Sequence, residues 1–140
     1  MRGQFFCKSC GSTLTEQIDV LSLKDPSVPQ PDWADQEPMC GQGKAYKSLE
    51  PFERSYDPAK PALLEFSPQY WLNIDDIEET TKFTSKSGRL SGCCGLGGCD
   101  GPNILCKSCG AEVGTMKSDC WTPLVFIPDK RNTEFKREGK

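Results

Sequence analysis

The segment Cys7-Lys8-Ser9-Cys10-Gly11 recurs, residue for residue, as Cys106-Lys107-Ser108-Cys109-Gly110. A Cys-x-x-Cys-Gly turn points both sulfurs into one pocket, exposes backbone amides that hydrogen-bond thiolates, and passes through a glycine that accepts a left-handed backbone. Two such turns supply four ligands for a tetrahedral ion, and the 140 residues contain no histidine to share the role. Cys7, Cys10, Cys106 and Cys109 are therefore the first candidate metal set, with Zn–S distances of about 2.3 Å expected. Zinc is the favoured ion and iron the second choice. Any fold this chain adopts must bring together two turns separated by about 95 residues.

The chain needs such a staple. Its 36% hydrophobic fraction counts nine cysteines, and 13 glycines with 11 prolines imply much irregular backbone, so a core alone is thin for this length. An odd number of cysteines cannot pair completely within one chain. Residues 1–6 carry no apolar run of signal-peptide length, and no stretch approaches the roughly 20 apolar residues of a membrane span. The expectation is a cytoplasmic protein without membrane contact, where reduced thiols bind metal more often than they bridge.

Five cysteines stand outside the repeated motif: Cys40, Cys93, Cys94, Cys99 and Cys120. Cys93, Cys99 and Cys120 make a second candidate metal set, with Cys40 as the further ligand and Cys94 as the alternative to Cys93. Adjacent residues of extended chain point to opposite faces, so Cys93 and Cys94 do not both face one ion unless a turn intervenes. The alternative is buried structural thiols, since free Cys packs as a small hydrophobe.

The two knuckles and their strand-like flanks, Gln4-Phe5-Phe6 and Asn103-Ile104-Leu105, resemble the zinc-ribbon family, in which two knuckles face each other at the tips of β-hairpins. They are also similar to the iron site of rubredoxin. Gly92-Cys93-Cys94-Gly95, Asp100-Gly101-Pro102-Asn103 and Asp119-Cys120-Trp121, together with the second knuckle, resemble a group of small bacterial zinc-ribbon proteins. That likeness spans roughly residues 90–123 and implies a shared fold, not a mechanism.

Short alternations after each knuckle, Ser12-Thr13-Leu14 and Ala111-Glu112-Val113, suit hairpins, and residues 18–23 read as a strand. Residues 25–38 hold four prolines and read as an extended loop. Residues 66–72 are strand-like, with Pro68 at an edge or break. Over residues 73–83, Ile74, Ile77 and Thr81 recur at helical spacing behind the potential cap Asn73, with Asp75, Asp76, Glu78 and Glu79 in the first turn, so one short helix is predicted there. Glycines make residues 87–102 a loop, residues 121–127 read as a closing strand, and residues 129–140 as a charged, flexible tail. The predicted architecture is one small β-rich (α+β) domain over residues 1–128, a zinc ribbon interrupted by an insert at residues 15–91.

Charge then separates the function classes. Residues 15–80 carry 14 acids and 5 bases, while the whole chain has a net charge of −3. Nucleic-acid binding, driven by neutralising phosphates with Lys and Arg, fits such a chain poorly and stands as a second alternative. The glycine-rich stretch lacks the Gly-Lys-Ser/Thr ending of a phosphate loop. An enzyme is not expected: there is no histidine, the four acids suit a solvated helix start, and a four-thiolate zinc site has no open coordination position. A thiol oxidoreductase places its Cys-x-x-Cys at a helix start, whereas both motifs here run into glycine, so redox or metal-responsive chemistry is confined to Cys93 and Cys94 as the first alternative. The leading expectation is a non-catalytic protein that binds a basic protein partner through Asp75, Asp76, Glu78 and Glu79, aided by aromatics such as Trp33 and Tyr46. A bacterial immunity-type neutraliser of a basic toxin or nuclease is one such protein.

Overall fold

The computed structural model describes residues 1–31, 33–52, 59, 64, 66–90, 96, 101–119 and 122–138. Among these residues nine strands form one sheet: β1 (Arg2–Cys7), β2 (Ile18–Ser22), β3 (Lys44–Ser48), β4 (Gln69–Leu72), β5 (Thr81–Phe83), β6 (Ile104–Cys106), β7 (Glu112–Lys117), β8 (Val125–Pro128) and β9 (Thr133–Arg137). Their order is β5-β6-β7-β8-β4-β3-β2-β1-β9, and the sheet curls into a half-barrel. Among these strands only β2 and β3 pair in parallel, with one isolated parallel bridge at Pro38↔Leu124. Among the described residues the helical content is two short 3-10 turns, Ile74–Ile77 and Ser87–Leu90, and no helix is long and apolar enough to cross a membrane.

Period-two alternation builds the two sides. Along β8, Phe126 enters the larger core while Val125 and Ile127 enter the smaller one; along β4, Leu72 and Trp71 divide in the same way. The central strands β4 and β8 thus bury both faces, which is why they read as nearly continuous apolar runs. The larger core holds Phe5, Leu14, Ile18, Ile104 and Val113 around the buried sulfurs Cys7 and Cys106. The smaller holds Met39, Leu64 and Trp71. Gln69, fully buried in β4, accepts from Phe52 N at 2.9 Å and from Trp71 Nε1 at 3.1 Å and donates to Leu64 O, so its amide costs no unpaired polar group.

Two expectations need correction. The short helix predicted over residues 73–83 is a single 3-10 turn at Ile74–Ile77, followed by strand β5. Asn73 does cap it, accepting from Asp75 N at 2.8 Å, but no basic residue stands in its last turn, and the β-branched pair Thr80-Thr81 turns toward β6. Residues 129–140 are not simply a flexible tail: Thr133–Arg137 form β9, in register with β1 from Cys7↔Thr133 to Gly3↔Arg137. The sheet also runs through the predicted insert, because β2, β3, β4 and β5 all belong to it.

Candidate metal centre

The sheet order determines how the knuckles meet. β1 is second from one end of the sheet and β6 second from the other, and each ends on the first cysteine of its knuckle. Curling brings these ends together. The four sulfurs of Cys7, Cys10, Cys106 and Cys109 then lie within 4.8 Å of one another, with Cys7 to Cys109 at 3.6 Å and Cys10 to Cys106 at 3.8 Å. Tetrahedral thiolate ligands about 2.3 Å from one ion stand roughly 3.8 Å apart, so the donor set fits a bound metal.

Each knuckle is built by the same bonds. Gly11 N donates to Cys7 O at 2.7 Å and Cys7 N to Ser12 O at 2.8 Å; Gly110 N donates to Cys106 O and Cys106 N to Ala111 O, both at 2.8 Å. Gly11 and Gly110 have φ of 77° and 79°, the left-handed backbone that glycine enters without steric cost.

The repetition extends beyond the pentapeptide. Lys8 N donates to Asn132 O at 2.8 Å and Lys107 N to Thr80 O at 3.0 Å. Asn132 and Thr80 immediately precede β9 and β5, the edge strands that flank the two knuckle strands. Thr133 lies opposite Cys7 and Thr81 opposite Cys106, and each threonine hydroxyl donates to a carbonyl four residues back, Asp129 O at 2.6 Å and Ile77 O at 2.5 Å. The supports are also crossed. β4, the central strand, leads into β5 beside β6, whereas β8, on the β6 side of it, leads into β9 beside β1. Asn132 Nδ2 to Glu112 O at 2.8 Å and Thr80 Oγ1 to Leu14 O at 2.6 Å fasten these crossings. No motif in the sequence announces Thr80 or Asn132, because their knuckle contacts are made by main-chain carbonyls.

Burial divides the sulfurs. Cys7 and Cys106 are buried, Cys10 and Cys109 exposed. Burial pushes the Cys7 thiol up to about 12 and also raises Cys106, while hydrogen bonds from the Ser12 side chain and amide bring Cys10 down to about 6. Two buried thiols that resist ionisation alone are what a bound cation would compensate, since metal ligation requires thiolates. Four sulfur donors suit zinc or iron.

The remaining candidates are distributed differently. Cys93, Cys94, Cys99 and Cys120 lie outside the described residues. Cys40 is buried, donating to Lys44 O at 3.2 Å and Trp71 O at 3.5 Å, and burial, with Asp76 adding to it, pushes its thiol up to about 12. Asp75, Asp76, Glu78 and Glu79 do share one surface, a groove of about 530 Å³ that also contains Glu16 and Gln42. Asp76 accepts from Gly43 N at 2.8 Å and Asp75 from Gln42 Nε2 at 3.2 Å. Burial raises the Asp76 carboxyl above its ordinary value; the Gly43 amide opposes this, and the charges of Asp75 and Glu16 add to it. Glu16 lies 59 positions before Asp75, so only folding makes it part of the groove. Trp33 is about half exposed (52%) and rests against Phe52 and Trp71, with ring centroids 4.7 and 5.7 Å away; Tyr46 packs against the smaller core.

No protein-family model, curated protein or solved structure matches the chain.

Proposed function

We propose that this protein is a non-catalytic binding module in which a zinc ion, held by Cys7, Cys10, Cys106 and Cys109 in the manner of a zinc ribbon, fixes a half-barrel whose acidic groove docks a basic protein partner. The observation that carries the reading is the gathering of Glu16, Asp75, Asp76, Glu78 and Glu79 around one groove. Five carboxylates from two distant segments repel one another, a cost that a cationic partner removes on binding. The groove lies beside the first knuckle, with Thr13 and Leu14 in its wall, so the ion would hold the docking face in shape without touching the partner. Four thiolates fill a tetrahedral zinc and leave no position for substrate, which supports a structural role for the ion. Neutralisation of a basic toxin or nuclease is the narrower form of this proposal, and it rests on charge alone.

The test is association kinetics. A basic partner isolated on the immobilised, metal-loaded chain is measured against wild type and a variant carrying Asp75→Lys, Asp76→Lys, Glu78→Lys and Glu79→Lys. The association rate should fall steeply with salt and with the substitutions, since attraction of this kind is screened over about 8–10 Å at ordinary salt. Rates indifferent to both would remove the acidic groove from the mechanism.

A further inference from the structure

The 3-10 turn Ile74–Ile77 is a ridge between two grooves. On one side is the carboxylate groove; on the other is an apolar groove of about 350 Å³ bounded by Ile77, Ile104, Met116 and Phe83. Asp75 and Glu78 line both. Phe83 closes β5 and is more than half exposed (58%), beside apolar surface that it leaves open.

β5 is also an edge. It pairs with β6, and among the described residues no strand pairs with its other side. Thr80 O accepts from Lys107 N and Thr84 N donates to Asn103 O, so the even-numbered residues of this stretch bond toward β6. By the alternation of an antiparallel ladder, the N–H and C=O groups of Thr81 and Phe83 point outward, where another chain can pair with them.

We infer that the β5 edge and the apolar groove take an extended segment of the basic partner as an added strand, with an apolar side chain against Phe83 and a Lys or Arg against Asp75 and Glu78. This rests on the docking reading above and names the mode of engagement, strand addition. Charge identifies the occupant. A second copy of this chain, pairing antiparallel about Lys82, would set Lys82 against Lys82, and like charges directly opposite destabilise a strand pair. Asp75 and Glu78 at the groove select instead a cationic chain, with a neutral or acidic residue opposite Lys82 and its cations toward the ridge.

The test is selection of phage-displayed random peptides on the metal-loaded full-length protein, followed by affinity measurement on the enriched sequence. The enriched peptides should place apolar residues at alternate positions with Lys or Arg flanking them. N-methylation should abolish binding at amides of one parity and spare the other. Phe83→Ser should weaken binding about tenfold, the effect expected of an exposed aromatic anchor, and Asp75→Asn with Glu78→Gln should weaken it and flatten its salt dependence, with metal content and melting unchanged. Failure to enrich such peptides, absence of the parity effect, or indifference to Phe83→Ser overturns strand addition. If the carboxylate variant still weakens binding in that case, the docking reading survives without it; if neither variant matters, both fall.

Discussion

Cys7 and Cys109 stand 102 positions apart in the chain and 3.6 Å apart at sulfur. The strands that lead into their knuckles, β1 and β6, each stand second from an end of the sheet with five strands between them. The four sulfurs thus meet across the open side of the half-barrel, and two of them are also part of the core, because Cys7 and Cys106 are buried among Phe5, Ile104 and Val113. Loss of the ion would remove a cross-link and uncover apolar surface together.

One zinc per chain is expected by elemental analysis of purified protein. Structural zinc in small peptides contributes on the order of 10–16 kcal/mol, against roughly 5–15 kcal/mol of net stability for a typical domain. Cys106→Ser, or a strong chelator, should therefore abolish the cooperative melting transition. Unchanged melting of metal-free protein would exclude a structural ion.

Cys40→Ala offers the contrast. Its thiol is buried but bonds only to the Lys44 and Trp71 carbonyls, so the loss is one small side chain and one weak donor shared between them, about 1–2 kcal/mol. Zinc stoichiometry should be unaltered. A variant that loses metal would place Cys40 in a ligand set.

Phe135→Ala tests whether the final strand belongs to the fold. The Phe135 ring lies 5.0 Å from that of Phe5 and 5.6 Å from that of Tyr70, and its removal should cost about 2 kcal/mol with zinc retained. Amide exchange across Thr133–Arg137 should be slowed by pairing with β1; exchange at the rate of free peptide would contradict that pairing.

Asp76 sets a pH dependence of definite sign. Its carboxyl is raised in the folded chain, so just above its unfolded value of 3.8 the folded state holds the proton more firmly, and stability is lost as pH rises through the folded value. Asp76→Asn keeps an acceptor for Gly43 N and removes the charge. The variant should gain relative to wild type above that window, by under about 1 kcal/mol given the partial exposure. Denaturant melts of both proteins at matched zinc content and several pH values measure it; a constant difference between them would remove Asp76 from the pH response.

The residues that carry local chemistry were the legible ones. The knuckles, the Asn73 cap, the strands around Phe5, Val20, Trp71, Ile104 and Val113, and the proline-rich loop all follow from motif or period-two patterning. β9 was not legible, because Thr133-Glu134-Phe135-Lys136-Arg137 offers one apolar side chain; charged edge strands look like tails until a neighbour supplies the ladder. β5 failed for a related reason, its three residues being too few for a pattern to outweigh the helical spacing before them. In the groove, the four clustered acids could be read directly, whereas Glu16 joins them only because the chain after the first knuckle passes beside that segment, where Thr80 Oγ1 bonds Leu14 O.

The distance between the knuckles along the chain also sets a timetable. At roughly 5–20 residues per second of synthesis, about 5–20 seconds pass between the emergence of the first thiol pair and the second. During that interval Cys7 and Cys10 have only two of the four donors, β9 has yet to be made, and β1 lacks its outer neighbour. Capture of an ion by all four sulfurs would therefore fall late in biogenesis, and the nascent chain presents an unpaired edge and two uncommitted thiols to whatever chaperone, oxidant or metal pool it meets first.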